Sequence, residues 1–275
     1  MRAIILAAGL GWRLGEQGRL VPKSLLEFDG QTLLARHFAA LEACGIEQVT
    51  VGVGYQADKM RHAIAALPTA LDAATVFNAD YQLGNVVTLW ALRDALTYGG
   101  PVLLMDADVL YDRRLLRALL DHEADNCFLM DRNFEPGDEP VKLCIRDGVV
   151  VEFNKQLPEA LRCDLQGESV GFFKLSAAGA ATLVARAAQY IERGKSDVMY
   201  EAVLRDQVLA DPAQFGVADI TGLPWIEIDF PEDVRKAATV VLPQLESGGP
   251  EGEPATSAIS SNVRVEHQDA LRTPS

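Results

Sequence analysis

The segment Ile4-Ile5-Leu6-Ala7-Ala8-Gly9-Leu10-Gly11-Trp12-Arg13, with Pro22-Lys23 a short way downstream, decides how the chain is read. An unbroken apolar run is the mark of a first β-strand buried on both faces, and here it feeds a glycine-rich turn. Glycines let backbone N–H groups approach a polyphosphate closely, and Arg13 and Lys23 add two cations to the same loop. The ligand expected there is anionic.

Two other uses of a glycine-rich loop fail on spacing. A dinucleotide fingerprint needs G-x-G-x-x-G at a helix start and an acidic residue at the end of the second strand. Here the loop reads Gly9-x-Gly11-x-x-x-Gly15, and the second strand, Val49-Thr50-Val51-Gly52-Val53, runs into Gly54-Tyr55 without a carboxylate. A Walker loop ends in Gly-Lys-Ser/Thr, which this segment lacks. A turn whose glycines only solve a backbone problem leaves Arg13 and Pro22-Lys23 without a reason.

The formal net charge of −14 argues against a nucleic-acid partner, which needs a basic stripe. It also means that the field of the whole chain repels anions, so local cations and a metal must do the attracting. A chain of 275 residues with 49% hydrophobic content can bury one large core. No stretch reaches the ~18 to 20 apolar residues of a membrane span, and the N-terminus enters a core strand without a cleavable signal, so a cytoplasmic protein is expected. Cys44, Cys127, Cys144 and Cys163 lack C-x-x-C spacing and are expected as packing thiols. His37, His62, His122 and His267 lack H-x-x-x-H pairing, which argues against zinc, and they are expected at the surface or as caps.

Strand-like and helix-like stretches alternate, the pattern of a mainly parallel sheet covered on both faces. Strands are expected over 3–7, 49–53, 74–78 and 102–106, and helices over 32–44, 56–67 and 85–96. Further strands are expected over 126–130, 141–145, 149–154 and 169–175, with a hairpin turn at Asp147-Gly148. Helices follow over 177–193 and 198–210. Residues 1–243 are expected as one domain and 244–275, rich in Gly, Ser, Glu and Pro, as a disordered tail. Deleting residues beyond about 245 should leave thermal stability and activity nearly unchanged, because such a composition buries too little apolar area to offset ordering entropy. A fall of several degrees in melting temperature would show that the tail docks. Nothing in the sequence sets the oligomeric state.

The run Leu6-Ala7-Ala8-Gly9-Leu10-Gly11-Trp12-Arg13-Leu14, followed by Pro22-Lys23-Ser24-Leu25-Leu26-Glu27-Phe28, resembles the signature of the nucleotidyltransferases that build NDP-sugars and CDP-alcohols. The likeness continues through Met105-Asp106-Ala107-Asp108 and Trp225-Ile226-Glu227-Ile228-Asp229-Phe230 to about residue 242, and is greatest to the phosphocholine (CDP-alcohol) cytidylyltransferase branch. That branch includes enzymes acting on aminoethylphosphonate and is close to inositol-1-phosphate cytidylyltransferases. The resemblance implies an α/β, Rossmann-like open mixed sheet with helices on both faces, the GT-A-like nucleotidyltransferase fold. It implies CTP, Mg²⁺ and a small phosphate or phosphonate ester as partners. It further implies that Arg13 grips the β- and γ-phosphates, that Lys23 stabilises charge at the α-phosphate and that Lys155 meets the acceptor phosphate. Leu6, Ala8, Gly9, Gly11, Asn78, Asn85 and Thr88 then hold the nucleotide, although Asn85 also reads as a helix N-cap.

Asp106 and Asp108 lie where a buried strand ends, and residues i and i+2 of a strand share a side, so both could face one cation. Mg²⁺ binds through one or two carboxylates plus waters and phosphate oxygens. The resemblance ranks Asp108 above Asp106. Alternation puts Trp225, Glu227 and Asp229 on one face of a strand; Asp229 is either a cap for the helix that starts at Pro231 or, as the resemblance implies, the second metal ligand.

An ionised phosphate ester needs no general base, which agrees with the lack of any nucleophile constellation of His, Cys or Ser. For a cationic acceptor head, Tyr81, Trp90, Tyr200 and Trp225 with Glu168 or Glu201 are candidates. An inositol or sugar phosphate would use polar side chains that are equally plentiful. Two readings compete with nucleotidyl transfer. A glycosyltransferase with an Asp-x-Asp metal site leaves the Arg13 and Lys23 loop without a task, and a non-catalytic nucleotide-binding regulator leaves Arg13, Lys23, Asp108 and Asp229 unexplained.

Overall fold

Strand β1 (Arg2–Ala7) is central because every residue after Arg2 is apolar and both of its faces are covered. Ala3, Ile5 and Ala7 point into one layer and Ile4 and Leu6 into the other, the alternation of a pleated strand. The structure, a computed structural model, describes residues 1–135, 137 and 139–245. Its other strands are β2 (Glu27–Phe28), β3 (Gln31–Thr32), β4 (Gln48–Val53), β5 (Asp72–Phe77), β6 (Val102–Asp106), β7 (Val109–Tyr111), β8 (Asn126–Asp131), β9 (Lys142–Arg146), β10 (Val149–Asn154), β11 (Leu165–Leu175), β12 (Phe215–Asp219) and β13 (Trp225–Glu227). The helices are α1 (Glu16–Leu20), α2 (Leu33–Ala43), α3 (Ala57–Ala66), α4 (Val86–Ala91), α5 (Arg93–Leu96), α6 (Arg114–Asp121), α7 (Ala177–Glu192), α8 (Tyr200–Ala210) and α9 (Pro231–Lys236).

Strands β6, β1, β4 and β5 lie side by side and parallel. Strand β11 continues the sheet antiparallel to β6, followed by β9 and β10, while β8 and β12 branch from β11. Helices α2, α3 and α6 cover one face and α4, α5, α7 and α8 the other. This is the open mixed sheet that the resemblance implies; the alternation of elements alone pointed to a mainly parallel one, but β9, β10 and β11 pair antiparallel. The chain lays β4 and β5 on one side of β1 and then crosses to place β6 on the other. At such a switch point the loops leaving the strand ends diverge and open a crevice.

A third cluster fixes the loops beside that crevice: Leu14, Leu26, Phe28 and Leu33 meet Leu110, Ile228, Ala237 and Val241. Ile228 is wholly buried, a burial that contributes ~1.5 to 3 kcal/mol. The residue before Asp229 and the residue after Arg13 are thereby held in one cluster. Strands β7 and β13 form an antiparallel ribbon outside the main sheet, with Glu227 opposite Val109.

Several elements differ from their expected bounds. The helix expected over 85–96 is interrupted at Leu92, where it passes close over Gly52; a Cβ there would lie 2.8 Å from Leu92 Cδ1. Strand β11 begins at Leu165 because its polar first residues pair with β9 before the strand reaches β8, a tertiary contact without local periodicity. Strand β13 stops at Glu227, and the carboxylate of Asp233 accepts from Asp229 N at 3.0 Å and Phe230 N at 2.7 Å. The capping task expected of Asp229 therefore belongs to Asp233. Strands β2, β3, β7 and β12 and helices α1 and α6 had no expected counterpart.

Two residue types depart from expectation. Cys144 and Cys163 form a disulfide rather than serving as packing thiols; Gln166, just after Cys163, pairs with Cys144 across β11 and β9 and brings the sulfurs together. Cys44 and Cys127 are free. His37 is fully buried instead of at the surface, while His62 is exposed as expected. His267 and residues 246–275 of the expected tail lie outside the described residues, and Leu245 packs on the third cluster. No helix among the described residues is long and apolar enough to cross a membrane.

Candidate active site

The crevice is a cleft of about 760 Å³ whose walls include Leu6, Ala8, Gly9, Gly11, Arg13, Lys23, Asn85, Thr88, Asp106, Asp108, Lys155 and Asp229. Gly11 adopts a φ of 61°, and a Cβ at that position would press to 2.9 Å from Cγ of Lys23. The glycine therefore serves both the turn and the placement of the lysine. Asn78 lies behind the wall, buried, donating from Nδ2 to Thr88 Oγ1 at 2.9 Å. Asn85 occupies the N-cap position of α4 without capping it; its side chain accepts from Tyr200 N.

Lys23 Nζ donates to Asp108 Oδ2 at 3.0 Å and to Asp229 Oδ1 at 2.5 Å. Burial alone would lower the lysine, but the two carboxylates hold it above its usual range, so it is charged. Arg13 Nη1 donates to Asp229 Oδ2 at 3.3 Å and to Glu139 Oε2 at 3.1 Å. The same Glu139 oxygen accepts from Lys155 Nζ at 3.0 Å. The cleft thus gathers the three expected cations, each paired with a carboxylate.

Asp108, Glu227 and Asp229 offer oxygens that all lie within 4.8 Å of one another. Glu227 was named in the sequence only as a neighbour on the face of Asp229; its alternation with Trp225 was the available signal. Asp106 lies outside this trio. Its carboxyl accepts from Tyr200 Oη at 2.9 Å, and burial pushes it well above the usual carboxylate range, with Glu201 and Asp108 adding to the effect. Gly171, at a φ of 80°, makes room for it, since a Cβ would lie 2.2 Å from Asp106 Oδ2.

A second acidic group lines the same cleft. Glu168 on β11 is the cross-strand partner of Asp131 on β8, and burial followed by that neighbour pushes Glu168 up to about 7. Asp131 is held by Trp225 Nε1 at 2.8 Å. Sequence reasoning had named Glu168 and Trp225 but not Asp131, which adjoins them only through strand pairing. Tyr81 and Glu201 also line the cleft, and Oε2 of Glu201 is buried without a partner. Tyr200 is wholly buried, and Trp90 stacks under Arg93 at 4.8 Å away from the cleft walls.

Known proteins share this arrangement of elements. The chain is 32% identical over 250 residues to the bifunctional IPC transferase and DIPP synthase of Rubrobacter xylanophilus, covering 90% of this chain and 53% of that protein. It is 27% identical to the CMP-5'-(3-aminopropyl)phosphonate synthase of Streptomyces rubellomurinus, covering 86% of this chain and 38% of that protein. The chain thus spans about half or less of the length of these curated relatives. Among solved structures, the CTP:phosphocholine cytidylyltransferase of Streptococcus pneumoniae superposes with a TM-score of 0.67 at 21% identity, covering 86% of this chain and 97% of that one. The inositol-1-phosphate CTP transferase of T. maritima gives the same TM-score and identity over 84% of this chain and 90% of that one. Residues 3–171 match the MobA-like NTP transferase domain, and the chain belongs to that family.

Proposed function

We propose that the protein transfers a cytidylyl group from CTP to a small phosphorylated or phosphonylated amino alcohol, releasing pyrophosphate and forming a CDP-alcohol from a phosphate ester or the corresponding CMP-phosphonate from a phosphonate. The observation that carries this reading is the mixed charge of one cleft, lined by Arg13, Lys23 and Lys155 and also by Glu168 and Asp131, the latter held by the Trp225 indole. That pattern is complementary to a triphosphate and to an acceptor that is anionic at one end and cationic at the other. The name of the aminopropylphosphonate relative describes an acceptor of this kind.

In this mechanism the acceptor's ionised phosphate or phosphonate oxygen attacks the α-phosphorus in line, and the bond to the β-phosphate oxygen breaks. No base is needed, because the nucleophile is already deprotonated near neutral pH. Arg13 binds the outer phosphates and Lys23 neutralises charge at the reacting phosphorus. Lys155 orients the acceptor phosphate. The donor set of Asp108, Glu227 and Asp229 is all hard oxygen on closely spaced strand ends, which fits Mg²⁺. When bound, that ion would neutralise phosphate charge.

A panel of acceptors with CTP and Mg²⁺ tests the reading through pyrophosphate release. Phosphocholine or aminoethylphosphonate should give the greatest rate, and glucose-1-phosphate a much lower one. A pocket built to hydrogen-bond hydroxyls rejects analogues lacking them by about 10⁴-fold, so a polyol enzyme would show the opposite ranking. A win for inositol-1-phosphate or a sugar-1-phosphate would sink the amino-alcohol assignment and leave the phosphate chemistry in place. Release of CDP or UDP from a nucleotide sugar, with no pyrophosphate, would instead mark a glycosyltransferase.

A further inference from the structure

His37 is a polar residue on an apolar helix face. Leu34, Phe38 and Leu41 of α2 share its face and enter the same core, and Thr32 caps the helix by accepting from Ala35 N at 3.0 Å. A leucine would fill this position without desolvating a polar ring, so the imidazole must find partners for both nitrogens. It does: Nε2 lies 3.1 Å from the carbonyl oxygen of Ala107 and Nδ1 lies 3.3 Å from Tyr111 Oη. A carbonyl only accepts, so Nε2 carries the proton, and Nδ1 of the neutral ring accepts from the tyrosine. Burial lowers His37 to about 4, which keeps the ring neutral at neutral pH.

These two contacts bracket Asp108. Ala107 precedes it in the bend between β6 and β7, and Tyr111 closes β7. The ribbon of β7 and β13 has no ladder to the main sheet, so its placement rests on the two-residue link from β6 and on side-chain contacts such as those of His37. The ring of Tyr111 is held edge-on by Phe172 at 4.8 Å, and the Asp108 carbonyl accepts from Ile228 N at 2.9 Å. Glu227 lies opposite Val109, and Asp229 follows Ile228. Every segment bearing a carboxylate of the trio is thus tied to the stretch that His37 grips.

We propose that His37 is a positioning residue for the divalent cation: through the Ala107 carbonyl and the Tyr111 hydroxyl it sets the 107–111 segment so that Asp108, Glu227 and Asp229 converge. This rests on the reading that the trio holds the metal. Outer partners that orient metal ligands are typically worth about 10- to 100-fold in affinity.

The test is Mn²⁺ binding to the full chain, followed by electron paramagnetic resonance with CTP present and no acceptor. His37→Leu should raise the Mn²⁺ dissociation constant about tenfold or more. His37→Gln, whose side-chain N–H can reach the same carbonyl, should recover most of the loss, a rescue that simple core filling would not give. Tyr111→Phe should weaken binding by a few-fold. Asp108→Asn serves as the reference for a lost ligand. Wild-type Mn²⁺ affinity in a folded His37→Leu protein, with Asp108→Asn impaired, overturns the positioning role. Wild-type affinity in Asp108→Asn as well overturns the metal reading itself. If His37→Leu fails to fold, Tyr111→Phe decides, and unchanged affinity there overturns the proposal.

Discussion

Lys23→Met should lower the rate of pyrophosphate release by about 10²- to 10³-fold, the effect of removing one pre-placed donor from a reacting centre. It should also do something that loss of an ordinary phosphate-binding lysine would not. The Lys23 ammonium bridges Asp108 and Asp229, so it lies between carboxylates that a metal cation would also draw on. Removing it leaves the clustered carboxylates with Arg13 on Asp229 as the remaining cation, and the excess negative charge then favours a divalent ion. The variant should therefore bind Mn²⁺ more tightly than wild type in the absence of nucleotide while turning over far more slowly. Near-normal turnover would show that Lys23 is only a counter-ion for the carboxylates. Slow turnover with unchanged Mn²⁺ affinity would remove the idea that lysine and metal compete.

The same geometry bears on how the proposed triphosphate substrate would be held despite the net charge of −14. Arg13 and Lys155 share one oxygen of Glu139, at side-chain exposures of 33% and 40%, so solvent weakens both pairs. A triphosphate can replace Glu139 at small cost. Lys23, by contrast, is only 17% exposed, and its partners are two of the carboxylates proposed to hold the metal. Exchange of its partners is therefore tied to the arrival of phosphate and metal together.

The parts of the fold that were legible in the sequence are those whose signal is local. The apolar run of β1 and the apolar stripe of α2 carry their own signal, and the residue types of the Gly9 to Arg13 loop point by themselves to the phosphate site proposed above. The third cluster shows why the site itself was harder to read. Lys23 meets Asp108 across 85 residues and Asp229 across 206, and no local pattern encodes such contacts. Asp108 and Asp229 were found through resemblance to a family, whereas Glu227, Asp131 and the core role of His37 depend on strand register and helix packing. Strand β7 is too short to show a period, and the Cys144–Cys163 pair is a product of the β9–β11 register.

Asp108→Asn and Asp229→Asn should each depress turnover by about several hundredfold or more while leaving the fold intact, since each swaps a charged ligand for a neutral near-isostere. The fold should survive because neither side chain is needed to start α9: Asp233 makes those hydrogen bonds. The two variants should differ in one respect. Asp229 also anchors Arg13, so its loss should weaken nucleotide binding as well as metal binding, whereas Asp108 touches Lys23 alone of the three cations. Steady-state kinetics at varied CTP and Mg²⁺, with circular dichroism as a check on folding, separates these effects. Normal Mg²⁺-dependent turnover in either variant would make that residue a spectator. If Asp229→Asn lost only CTP affinity and kept its Mg²⁺ response, its task would be to hold Arg13, and the metal would rest on Asp108 and Glu227.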